Sequence, residues 1–104
     1  MTPNFYTAVI VRGEWRVAIL AHRHLALLAL AVPPAKGEME VRFVEEPEVA
    51  AVVAELGSFR LMSMEELRTP LDQADLSALA EAELAQVAYW KPHTVGELVF
   101  NYWD

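Results

Sequence analysis

Apolar residues alternate with polar ones, or run unbroken over short stretches, through the first third of the chain; beyond Val44 they recur every three to four residues. Residues 5–11 are rich in aromatic and β-branched side chains, Arg12, Gly13 and Glu14 interrupt them, and Trp15, Val17 and Ile19 then share one side of a pleat. This pattern predicts a hairpin turning at Gly13. Residues 25–32 form an uninterrupted apolar run stopped by Pro33 and Pro34, which suits a strand covered on both faces. The competing reading is a single buried helix over residues 14–32, because Leu and Ala favour helix intrinsically. Met39, Val41 and Phe43 alternate with Glu40 and Arg42, the pattern of a half-exposed strand over residues 39–44.

The second part of the chain reads as helices. Pro47 stands at a first helical position and Gly57 at a terminating one, with Val49, Val52, Val53 and Leu56 spaced as one helical stripe between them. Residues 59–62 suit a short strand. Ser63 and Glu66 form a capping box, and the turn it starts ends at Thr69, before Pro70. Asp72 and Asp75 open a longer helix whose stripe is Leu76, Leu79, Ala80, Leu84, Val87 and Ala88, stopped by Pro92. Thr94 and Glu97 make a second capping box ahead of Val95, Leu98, Val99 and Tyr102, a stripe that Phe100 and Trp103 widen. The expected architecture is a single α+β domain over residues 1–104, a mostly antiparallel sheet from the N-terminal half with three to four helices packed on one face.

Composition narrows the chemistry. The 104 residues are 55% apolar and carry no Cys, which removes disulfides, thiolate metal sites and cysteine nucleophiles. A net charge of −7 disfavours nonspecific nucleic-acid or anionic-membrane binding. The charge is uneven: Arg12, Arg16, Arg23 and Lys36 face Glu14 alone in the first 36 residues, and four basic residues face fourteen acidic ones in the rest. The longest apolar run is far shorter than the roughly 20 residues of a spanning helix. Read as a leader, it would follow another apolar stretch at residues 5–11. The expected setting is therefore the cytoplasm, with no membrane partner.

Four groups of residues are candidates for chemistry. His22 and His24, two apart, could hold one metal if Glu45 or Glu46 completed the shell, although a surface turn needs the same polar residues. His93 stands just outside a helix start with no partner acid named. Glu46 and Glu48 bracket Pro47 where a helix start favours negative charge, which accounts for them without catalysis. Arg12, Arg16 and Arg23 lie near Phe5, Tyr6 and Trp15, as a base-stacking platform would require, but three arginines are few against the overall charge. The four glycines form no phosphate-binding loop and no serine lies in a nucleophile elbow, so no cofactor is expected.

The last sixteen residues carry the rings of Tyr89, Trp90, His93, Phe100, Tyr102 and Trp103, and the apolar or aromatic positions Val95, Leu98, Val99, Phe100, Tyr102 and Trp103 are wider than one face of a short helix can bury against a small sheet. The sequence therefore reads as an acidic interaction module, such as an adaptor, an immunity-like neutraliser or an oligomeric scaffold. It would bind a protein partner or a second copy through Trp90, Phe100, Tyr102 and Trp103. The alternative is a small-ligand or metal-binding enzyme using His22, His24 and a glutamate.

Overall fold

The computed structural model describes residues 3–35, 37, 40–74, 77 and 81–102, the side chains of 81–83 excepted. The chain folds as an α+β protein with its sheet in the N-terminal half and its helices mostly C-terminal. Strands β1 (Phe5–Arg12) and β2 (Trp15–His22) form the hairpin, joined by Gly13 and Glu14. Gly13 has φ +63° and Glu14 a negative φ, the signs of a type II′ turn, which requires a positive φ at its first central position and so favours glycine there. Strand β3 (Leu27–Ala31) pairs antiparallel with β2, so the long-helix reading of residues 14–32 does not hold.

The outer edge of β3 is shared. The two-residue strand β4 (Arg60–Leu61) pairs parallel to its start, and Phe43 forms an isolated antiparallel bridge with Ala31 at its end. The half-exposed strand expected over residues 39–44 is thus reduced to that one bridge, with Met39 outside the described residues. Helix α1 (Pro47–Ala54) begins at Pro47, and the chain reverses at Gly57 with φ +69°. Helix α2 (Met64–Arg68) carries the Ser63–Glu66 capping box with both hydrogen bonds made. A 3₁₀ turn (Leu71–Gln73), helix α3 (Glu81–Trp90) and helix α4 (Val95–Val99) follow. The start of the longer helix expected at Asp72 and Asp75 falls on the 3₁₀ turn and on residues outside the described set.

The helices divide between the two faces of the sheet rather than lying on one. Alternate residues of a strand point to opposite faces, and each set here has its own cover. Phe5, Ala18, Leu20, Ala29 and Ala31 pack with Met62, Met64, Leu67 and Phe100. Val17, Leu28 and Leu30 pack on the other side with Val49 and Val53 of α1. The apolar run of β3 is therefore buried on both sides, which accounts for the missing polar alternation. Helix α1 buries Val49 and Val53, whereas Val52 and Leu56 of the expected stripe are exposed; the helix ends at Ala54, before Leu56 could join it.

Both covers stop at β2. Beyond Phe5, every residue of β1 is exposed, Tyr6 at 62%, Ile10 at 37% and Val11 at 59%.

Candidate functional site

Two regions gather the residues of interest: the C-terminal segment and the edge of the sheet. In the first, Thr94 caps α4 by accepting from the Glu97 N–H at 3.2 Å. The Glu97 carboxylate reaches back one residue further than a capping box requires and accepts from the backbone N–H of His93 at 2.5 Å. His93 is exposed and is held through its backbone, with no acid placed on its ring among the described residues.

Helix α4 stops after Val99, and this corrects the expectation for Phe100. The backbone there is extended, φ −117° and ψ 107°, which turns the ring away from the helical stripe and into the core. Phe100 is 1% exposed and meets the rings of Phe5, Phe43 and His22 edge-on at 6.0, 6.0 and 6.1 Å. It holds the fold together and offers no surface to a partner. Gly96 is buried against Phe43 and α2: a Cβ there would lie 2.6 Å from the Phe43 ring and 3.0 Å from the Leu67 carbonyl oxygen.

The other aromatics do not share that fate. Tyr102 is half-buried, edge-on to Phe5 at 5.5 Å. Trp90 is half-exposed; its indole N–H donates to Gln86 Oε1 at 2.7 Å, and Tyr89 crosses it at 5.0 Å. Trp103 lies outside the described residues. Trp90 and Tyr102 line a cleft of about 380 Å³ that also holds Glu40, Lys91, His93 and Glu97. Lys91 adopts φ +51° as the chain leaves α3, with its N–H bonded to the Val87 carbonyl at 2.9 Å.

The metal reading of His22 and His24 finds no support. Nδ1 of His22 accepts from the backbone N–H groups of His24 and Leu25 at 3.0 and 3.1 Å, so this ring nitrogen organises the β2–β3 turn. The His24 ring sits edge-on at 5.9 Å. Among the described residues no set of three His, Cys, Asp or Glu side chains converges. Glu45 and Glu46 cannot complete a shell, because Val44 beside them bonds to Leu30 at the far end of β3 from that turn.

The arginines of the first third are also placed. Arg12 lies 3.8 Å from Glu48, both largely exposed, and the Arg23 guanidinium sits 5.2 Å from the centre of the Tyr6 ring. Phe5 is core and Trp15 is half-buried against the cluster under α1, so of the nearby aromatics Tyr6 alone is largely exposed. No described helix is long and apolar enough to cross a membrane.

The edge of the sheet is the region that sequence reasoning missed. In a two-residue hairpin the residues flanking the turn exchange both backbone hydrogen bonds, so Arg12, Ile10, Ala8 and Tyr6 direct their N–H and C=O groups to β2. The phase repeats across the sheet: β3 uses Ala26, Leu28, Leu30 and Val32 for its own outer neighbours. Thr7, Val9 and Val11 therefore point their backbone groups outward, and no described residue pairs with them. This edge carries no charge and no Pro from Phe5 to Val11, and its side chains on both faces are mostly apolar, with Tyr6 and Thr7 adding a hydroxyl to each. Natural edges are ordinarily shielded by Lys, Pro, a bulge or a covering loop. The signal was present in the uncharged run from Phe5 to Val11 in the first strand of a hairpin, but what lies beside that strand is a property of the whole sheet. Comparison with models of known families, with curated proteins and with solved structures finds no match.

Proposed function

We propose that this protein is a small interaction module that works by binding protein, with β1 as its contact surface and the cytoplasm as its setting. The observation that carries this reading is the β1 edge, which no described residue shields: outward backbone groups at Thr7, Val9 and Val11 flanked by exposed Tyr6, Val9, Ile10 and Val11. An added strand would satisfy those groups and cover the apolar side chains in one step. In the aromatic C-terminal segment Phe100 is withdrawn into the core, while Tyr89 is exposed and Trp90 and Tyr102 line a cleft.

A photo-crosslinking side chain placed at Tyr6 in the full chain tests the reading, with the same group at Tyr89 on α3 as the comparison. Light-dependent adducts of discrete mass are expected from position 6. Adducts from position 89 alone would move the contact to the aromatic segment, and adducts from neither would end the reading.

One observation favours a second reading, in which the cleft beside Trp90 and Tyr102 takes a small aromatic ligand. It has a mixed lining of rings, two acids, Lys91 and His93. Concentration-dependent quenching of Trp90 fluorescence by such a ligand would support it.

A further inference from the structure

Resting on the reading of β1 as the contact surface, we infer that its occupant is β1 of a second copy, paired antiparallel about a two-fold axis beside Val9. An axis perpendicular to the sheet carries each face onto itself, so residues facing each other across the pair must have the same parity. Centring the pair on Val9 sets Thr7 opposite Val11 of the partner and Val9 opposite its own counterpart. These are the residues whose N–H and C=O groups point outward, so each donor meets an acceptor and the two sheets join into one.

Charge selects this arrangement. At the turn end of β1, Arg12 is paired with Glu48 and Glu46 lies beside them, and with Glu14 in the turn and Arg16 opposite Val11 the corner holds three acids against two arginines. At the opposite end, Arg23 rests over Tyr6. Antiparallel pairing lays the acidic corner of each copy against the Arg23 corner of the other, and the symmetry makes that match twice. Parallel pairing would set like corners together. Between the corners the strand is uncharged, so no acidic side chain of β1 stands on the seam, and the Arg12 that faces Tyr6 of the other copy is offset by its own Glu48.

A contact one strand long lies at the small end of stable interfaces, below about 1,200 Å² of buried surface. The dimer is therefore concentration-dependent. Sedimentation equilibrium of the full chain over about 1 to 200 µM is expected to show the mass rising from 11.7 kDa towards twice that value. Val9→Lys is expected to hold the mass at one chain with an unchanged far-UV spectrum. A wild-type mass of one chain throughout, growth past two chains, or a folded Val9→Lys chain that still dimerises would overturn the inference.

Should Val9→Lys unfold the strand, the absence of native cysteine supplies a gentler route. Val9→Cys is expected to give a covalent dimer on mild oxidation in clear excess over Ser58→Cys, placed in the exposed loop before β4. Equal yields would sink the pairing. A monomeric wild type whose position 6 crosslinks to a different protein would remove self-pairing and leave the interaction reading standing.

Discussion

Asn4 and Asn101 hold the two ends of the described chain together. The N–H of Asn4 donates to the Asn101 carbonyl at 2.9 Å, and the N–H of Asn101 donates to Asn4 Oδ1 at the same distance. The Asn4 amide continues to the Val99 carbonyl at 2.8 Å, and its own carbonyl accepts from Arg23 at the β2–β3 turn at 2.9 Å. Both side chains are buried, and their neighbours on the core side are Phe5 and Phe100.

Truncating the two asparagines should not cost the same. Asn4→Ala leaves the Asn101 N–H and the Val99 carbonyl without partners in a buried place, a loss of about 2 to 3 kcal/mol. Asn101→Ala keeps both backbone bonds and removes the side-chain bonds to the Leu98 and Glu97 carbonyls at 2.8 and 3.4 Å, a loss of about 1 to 2 kcal/mol. Urea titrations of the two variants check the order.

Phe100→Ala should destabilise the fold by about 3 to 5 kcal/mol, the cost of a cavity under a ring buried against Phe5, Phe43 and His22. Gly96→Ala adds one methyl group where the Phe43 ring and a backbone oxygen already sit, and should cost about 1 to 3 kcal/mol. Thermal melts report both; a Phe100→Ala chain that melts like wild type would return that residue to the surface.

Glu66 provides the pH dependence. The backbone N–H of Ser63 and then the Arg60 guanidinium, 2.6 Å away, hold its carboxyl below the usual range. A carboxyl so lowered stabilises the fold above its unfolded value, and that contribution fades as pH falls through the folded value. Arg60 and Glu66 are both substantially solvent-exposed, so the effect is small. Ser63→Ala should cost about 1 kcal/mol near neutral pH, and Glu66→Gln should flatten the decline of stability on the acid side. Chemical denaturation at stepped pH measures each.

Local chemistry made much of this fold legible. Gly13 between two β-rich stretches fixed the hairpin, Pro47 fixed the start of α1, and Ser63 with Glu66 fixed α2, because turns and caps are decided by residues a few positions apart. Phe100 was misread because a helical stripe places it on the surface only while the helix continues, and α4 ends one residue before it. His22 and His24 share a turn whose backbone N–H groups claim the ring nitrogen a metal would need, and spacing alone does not reveal those donors. The exposed β1 was hidden for a different reason: which strand stands at an edge, and how far α1, α2 and α4 reach across the sheet, are settled by packing between distant segments.

Residue-resolved hydrogen exchange along β1 tests most directly whether this edge is a binding surface for its own kind. Tyr6, Ala8 and Ile10 donate to β2, so their amides should be protected at every protein concentration. Thr7, Val9 and Val11 should exchange quickly in dilute solution and become protected as concentration rises. Fast exchange of those three amides at all concentrations, beside steady protection of their neighbours, would contradict it.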